Sequence, residues 1–252
     1  MLTVRVIPCL DVRGGRVVKG IRFQDLRDSG SPPELAELYQ RQGADEITML
    51  DVAATPEGRT TRYETVRAVR RRLALPLTVG GGVSSIDIAQ ALLEAGADKV
   101  SVNTAAVERP QVLAEMAKRF GSQCTVLALD AAARPDGGFE VVTHSGKRRT
   151  GIDAVKWACQ AASLGAGEIL LTSWDRDGTR EGYDLNLIRV ISEAVEVPII
   201  ASGGAAGPEH MAQAIRAGAD AVLAASIFHE GQYTVGRLKQ ELKYMGVEVR
   251  TC

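Results

Sequence analysis

A chain of 252 residues holds one large domain or two small ones, and a single eight-fold βα barrel needs about 250. Hydrophobic residues supply 45% and charged residues 24%, enough for a substantial core, while only 4% aromatics argues against a module built on exposed aromatic anchors. Thirty Lys and Arg against 31 Asp and Glu give a net charge of -1, without the basic excess of a nucleic-acid binder, and no apolar run approaches the roughly 20 residues that span a membrane.

Short apolar runs alternate with amphipathic stretches along the whole chain. The first strand is read at Val4 to Leu10, followed by a turn at Gly14-Gly15 and a helix from Pro33 to Gln42 that Gly43 stops. Strands follow at Glu46 to Asp51, Leu77 to Val79 and Lys99 to Val102, with helices over Thr61–Leu73, Ile86–Ala95 and Gln111–Phe120 between or after them. The run Cys124 to Leu129 is the fifth strand. After Asp130, the segment DGGFEVVTHSG reads as an inserted hairpin before a helix at Ile152–Leu164. Strands at Glu168–Ser173, Ile199–Ser202 and Ala221–Ala224 alternate with helices at Asp184–Ala194, Pro208–Ala217 and Thr234–Met245. The near-continuous apolar strands are those of a parallel sheet covered by helices.

Arg70-Arg71-Arg72 is read as a solvated, cationic helix end. Cys9, Cys124, Cys159 and Cys252 are widely spaced, and the first and second fall in apolar runs. Those two read as buried free thiols in a reducing compartment, and the four show no metal-ligand spacing. The start, MLTVRVIPCLDV, lacks the pattern of a secretory signal, so a soluble cytoplasmic protein is expected.

An internal repeat sharpens the fold. GGVSSIDIAQALLEAGADKV from Gly81 aligns with GGAAGPEHMAQAIRAGADAV from Gly203, an offset of 122 residues. At that offset GADE at Gly43 meets GAGE at Gly165, and Leu75-Pro76-Leu77 meets Val197-Pro198-Ile199. Two half-barrels, about 1–122 and 123–252, are expected to close into a single (β/α)₈ barrel, because a half-barrel alone leaves open sheet edges. An open doubly wound sheet fits less well, since no GxGxxG follows the first strand.

Such barrels place chemistry at the carboxyl ends of their strands. Gly203-Gly204 and Ala225-Ser226 follow strands seven and eight, and Asp177-Gly178-Thr179 follows strand six. Gly81-Gly82 and Asn103-Thr104 occupy the matching places in the first half. Glycine turns let backbone N–H groups approach an anion, so two opposed phosphate sites and a long substrate across the mouth are inferred. Asp11 ends strand one and Asp130 ends strand five, where opposed carboxylates can divide acid and base work. A capping aspartate, or a partner for Lys19, is the simpler role for either one taken singly. His144, His210 and His229 share no ligand spacing and are read as structural or solvent-exposed; no metal or redox cofactor is implied.

Whole stretches, including IPCLDVRGGRVVKG, DEITMLDV, TVGGGV, GADKVSVNTAAV, GAGEILLTSWDRDGTREGYD and ADAVLAASIFH, closely resemble the cyclase-subunit family of imidazole glycerol phosphate synthase, barrels of histidine biosynthesis. The resemblance implies a lyase that takes ammonia from a glutaminase partner. It implies a bis-phosphorylated substrate, phosphoribulosyl formimino aminoimidazole carboxamide ribotide, converted to imidazole glycerol phosphate and aminoimidazole carboxamide ribotide. It assigns acid–base catalysis to Asp11 and Asp130, and substrate contacts to Lys19, Asn103, Thr172, Asp177 and Ser202. Phosphate contacts match Gly82, Gly178, Gly204, Ala225 and Ser226.

Charged side chains at strand starts, Arg5, Glu46, Lys99 and Glu168, could form a satisfied plug at the opposite end of the barrel, and spacing alone favours that reading. In the resembled family they are an ammonia gate, with Thr78 and Ser101 above it and Asp98 facing the glutaminase in a heterodimer on the N-terminal face. Trp174 stands where an aliphatic residue is usual, over either the substrate or its own loop. The residue patterns alone do not separate this reading from the isomerase of the preceding pathway step, which shares the barrel and its paired sites. A non-catalytic barrel that only activates a glutaminase is a third reading, against which the intact aspartates and phosphate loops stand.

Overall fold

The computed structural model describes residues 3–21 and 24–250, and the side chains of residues 19–21 and 24–27 lie outside the described set. Eight strands form the barrel: β1 Arg5–Arg13, β2 Ile47–Asp51, β3 Leu77–Gly80, β4 Lys99–Val102, β5 Thr125–Ala133, β6 Glu168–Ser173, β7 Ile199–Ser202 and β8 Ala221–Ala224. Each pairs in parallel with its sequence neighbour, and β1 pairs with β8 through Arg5 opposite Ala221, so the ring closes without a free edge.

Eight helices cover it: α1 Pro32–Arg41, α2 Tyr63–Arg70, α3 Ile86–Glu94, α4 Gln111–Phe120, α5 Ala154–Ser163, α6 Leu185–Ser192, α7 Pro208–Arg216 and α8 Val235–Tyr244. Local chemistry sets several starts. Ser85, Asp153, Asp184 and Thr234 each accept a hydrogen bond from the backbone N–H three residues on, and prolines stand in the first turns of α1 and α7.

Strand alternation sorts the apolar residues into two cores. Val79, Val100, Leu127, Ile169 and Val222 point outward onto Val66, Leu92, Leu113, Ile188 and Leu238 of the helices, all buried. Ile7, Cys9, Val126, Leu170, Ile200 and Leu223 fill the inside of the ring. Inward positions continue to Asp11 and Asp130 at one end and to Arg5 and Glu168 at the other. The same alternation therefore builds the core, the rim and the base.

The half-barrel repeat is visible in matched contacts. Asp98 accepts from Leu77 N–H at 2.8 Å, and Asp220, 122 positions later, accepts from Ile199 N–H at 2.9 Å. A Cβ on Gly82 would lie 2.1 Å from the Arg59 carbonyl oxygen, and one on Gly204 would lie 2.2 Å from that of Gly182. Both glycines also have positive φ, 64° and 94°, so neither turn accepts another residue without strain.

The structure corrects the sequence reading in several places. Gly14-Gly15 opens a flap of two antiparallel strands, Arg16–Ile21 and Gln24–Gly30, whose short apolar pair Val17-Val18 and polar second strand gave no strand signal. The excursion after Asp130 is larger than a hairpin. β5 itself continues to Ala133 and pairs with Phe139–Thr143, which pairs with Arg148–Asp153. That last strand takes Ile152 and Asp153, so α5 begins at Ala154. Cys124 lies in a half-buried 3₁₀ turn, Ser122–Cys124, rather than in the strand; Cys159 is exposed, and Cys252 lies outside the described residues. Arg70 is no solvated helix end: its guanidinium donates to the carbonyls of Gly96, Leu73 and Leu75 and pairs with Asp98 at 2.6 Å. Among the described residues no helix is long and apolar enough to cross a membrane.

A buried ion pair joins the last helix to the base of the barrel. Lys239 Nζ lies 2.8 Å from Asp45, which also accepts from Val6 N–H at 2.8 Å. Removing the cation leaves a buried carboxylate short of a partner. Lys239→Met should therefore lower the unfolding free energy by about 3–5 kcal/mol in urea titration. Tyr244→Ala, at a side chain 91% exposed on the same helix, should change it by less than about 0.5 kcal/mol.

Candidate active site at the carboxyl rim

A cavity of about 560 Å³ opens at the carboxyl ends of the strands. Asp11 and Asp130 both line it, as do Gly82, Asn103, Thr172, Asp177, Gly178, Ser202, Gly204, Ala225 and Ser226. Every expected site residue of the rim is thus brought to one space, except that the side chain of Lys19 lies outside the described residues. Its backbone belongs to the flap after β1. β1 and β5 stand four strands apart in a ring of eight, which sets the two aspartates across from each other.

The two carboxyls have different surroundings. Asp11 is buried and accepts a weak contact from the Cys9 thiol at 3.5 Å. Asp130 accepts from Asn103 Nδ2 at 2.9 Å and from the Thr172 hydroxyl, its register partner on β6. Enclosure by protein, reinforced by the Asp177 carboxylate, pushes Asp130 up to about 7, and the Asn103 and Thr172 bonds only partly offset this. Asp130 can therefore hold a proton near neutrality. Asn103 also donates to the Val142 carbonyl at 3.2 Å, which fixes its amide between Asp130 and the β5 flap, the paired strands Phe139–Thr143 and Arg148–Asp153.

Two short helices stand at opposite sides of the cavity, Thr104–Glu108 after β4 and Ser226–His229 after β8, each next to a glycine turn of the preceding strand. Their first turns and the crowded Gly82 and Gly204 loops offer backbone donors to an anion at each end. The chemistry such a site supports is proton transfer on a ligand anchored twice. Among the described residues no cluster of three or more His, Cys, Asp and Glu could hold a metal.

Sequence reasoning missed several lining residues. Asp51 ends β2 in register with Val12 of β1, a signal present in the run ITMLD, and pairs with Arg59 through bonds of 2.6 and 3.0 Å. Arg59, Arg180, His144 and Ser145 arrive on loops, where no periodicity announces them. His144, expected to be structural or exposed, lines the cavity; His229 instead meets the Tyr39 hydroxyl at 2.6 Å behind the Ser226 helix. Trp174 does not line the cavity. Its ring lies on Gly146, where a Cβ would come within 1.9 Å, so it packs on the β5 flap.

At the opposite end, the four expected charges form a closed ring. Arg5 pairs with Glu46 at 2.9 Å and with Glu168, and Lys99 pairs with Glu46 at 2.9 Å and Glu168 at 2.8 Å. The carboxylates are buried and the cations partly open to the base.

A family model described as a histidine biosynthesis protein matches residues 5–234. The chain belongs to the histidine-biosynthesis family. Its curated relatives include imidazole glycerol phosphate synthase subunit HisF of Nocardia farcinica, 57% identical and aligned over 99% of this chain and 99% of that protein. The chain is thus a HisF-type member of this family, an enzyme rather than a scaffold.

The raised Asp130 has a consequence for stability. Its ordinary value of 3.8 becomes about 7 on folding, so the folded state takes up a proton between about pH 4 and 7. Stability carried by this group therefore falls as pH rises through that window and stays low above it. Asp130→Asn should raise the melting temperature by several degrees more at about pH 8 than at about pH 4. An equal change at both would place the carboxyl at an ordinary value.

Proposed function

We propose that this chain is the ammonia-using cyclase subunit of imidazole glycerol phosphate synthase, with Asp11 and Asp130 as its acid–base pair. The observation that carries this is their placement on opposite strands of one cavity that has a glycine turn at either end. The ligand class that fits is an open chain with two phosphates, and phosphoribulosyl formimino aminoimidazole carboxamide ribotide is such a molecule. Its phosphates would rest on Gly82 with Asn103, and on Gly178, Gly204, Ala225 and Ser226. The reacting atoms would then lie between the aspartates.

Ring closure makes a carbon–nitrogen bond to the incorporated ammonia nitrogen and breaks the one to the departing aminoimidazole. The leaving amine needs a proton. Asp130, held near 7, is suited to donate it, while Asp11 removes the proton lost on the opposite side. Asp177 keeps Asp130 protonated, and Thr172 and Ser202 orient the chain between the phosphates. Lys19, on the flap after β1, would close the mouth over the bound ligand.

Ammonia would arrive from a glutaminase docked on the N-terminal face, with Asp98 among the residues facing it and the Arg5–Glu46–Lys99–Glu168 ring as its gate. Inside the ring, Thr78 donates to Glu46 at 2.6 Å, and the buried Thr48 and Ser101 hydroxyls have no hydrogen-bond partner among the described residues. Ser101 also lines the cavity, and Gly80 leaves it room, since a Cβ there would lie 2.1 Å from the Ser101 hydroxyl. These hydroxyls form a polar lane from gate to rim on the β2–β4 side, where a small hydrogen-bonding molecule can pass.

With free ammonium and the bis-phosphorylated substrate, Asp11→Asn and Asp130→Asn should each lower formation of imidazole glycerol phosphate by about 10²–10⁴-fold. Turnover near the unmodified rate in both variants would end the acid–base assignment. Lys99→Met should reduce glutamine-dependent turnover with the partner several-fold more than ammonium-dependent turnover. Equal losses in the two assays would leave the ring a structural plug.

A further inference from the structure

The turn of the β5 flap reaches the cavity from outside the barrel. Its residues His144, Ser145 and Gly146 all have positive φ, 55°, 54° and 83°. Two successive side-chain-bearing residues in this region persist only where the surroundings hold them. Three contacts do so. The His144 N–H donates to the Thr104 hydroxyl at 3.0 Å, the Ser145 hydroxyl donates to the Val52 carbonyl at 3.3 Å, and the Trp174 ring fills the space over Gly146. The tip is thus clamped to the loops after β2, β4 and β6.

This clamp sets an imidazole at one end of the cavity. His144 lines it beside Gly82, Asn103 and Thr104, and among the described residues no other histidine does. Its Nδ1 meets the Thr143 hydroxyl at 3.1 Å, and its Nε2 lies 3.8 Å from Glu108. At that separation Nε2 makes no hydrogen bond to Glu108, so its N–H is open to an acceptor that comes within reach.

We propose that His144 is a binding and specificity residue for the first-half phosphate, donating its Nε2–H to the anion seated at Gly82 and Asn103. The proposal rests on the bis-phosphate reading above and adds to it a difference between the two ends. Ser145 and Trp174 act as positioning residues that hold the imidazole there. A bond from Nε2–H to a phosphate is charge-assisted, and such a bond is worth about tenfold in affinity.

The test uses the isolated chain without ammonia, so that substrate binds without reacting. Calorimetry with the bis-phosphorylated substrate should show His144→Gln weakening binding about tenfold, and Trp174→Ala, which releases the tip, weakening it in the same direction. Each product carries one phosphate, so His144→Gln should weaken one product markedly and leave the other unchanged. In the ammonium assay the variant should raise KM with kcat within about twofold. Unchanged substrate affinity, equal weakening of both products, or a fall in kcat at constant KM would each overturn the proposal. Loss of ammonium turnover by the unmodified chain, with these binding differences intact, would count against the cyclase reading and not against His144.

Discussion

The register of a closed parallel ring governs everything at this site. Inward and outward positions alternate along each strand, and neighbouring strands fix one another through pairs such as Asp11 beside Leu50 and Asp130 beside Thr172. A slip of one residue in β1 or β5 would turn the carboxyl into the helix layer and bring an apolar side chain to the mouth. The same slip would pull Arg5 out of the charged ring at the base. The rim carboxyls and the basal ring of ion pairs are therefore two ends of one alternation, and closure through β1 and β8 leaves the ring no edge at which to slide.

Duplication supplied this frame twice, and the differences between the halves carry the chemistry. Asp98 and Asp220 hold equivalent strands, and Gly82 and Gly204 make equivalent crowded turns. Where the halves part, function enters. Asn103, which binds Asp130, corresponds to Ala225; Asp51, which binds Arg59, corresponds to Ser173. Small residues and hydroxyls line the β2–β4 side, whereas Val126, Leu170, Ile200 and Leu223 close the rest of the interior. A nearly symmetric scaffold can thus hold a doubly anchored molecule and still present unlike groups to its two faces.

What could be read from the chain follows the same physics. The eight apolar runs and the 122-residue repeat were legible because burial on both faces leaves a continuous signal. Asp11 and Asp130 were legible because each breaks such a run at an equivalent place. The flap strands Arg16–Ile21 and Gln24–Gly30 were not: the first offers only Val17 and Val18 as an apolar signal, and the second, QDLRDSG, is polar and held by pairing with the first. Arg70 read as a surface charge because its acceptors, the carbonyls of Gly96 and Leu75, meet it only in the folded chain. His144 was hidden for a similar reason. Its place at the cavity depends on a left-handed turn and on Trp174, neither of which periodicity encodes.

The most direct test is a crystal structure of the chain with its bis-phosphorylated substrate bound in the absence of ammonia. The account places one phosphate at Gly82 and Asn103, the other at Gly204 and Ser226, and the scissile region between the carboxyls of residues 11 and 130. Both phosphates within one half, or a ligand that touches only one of the two aspartates, would contradict it.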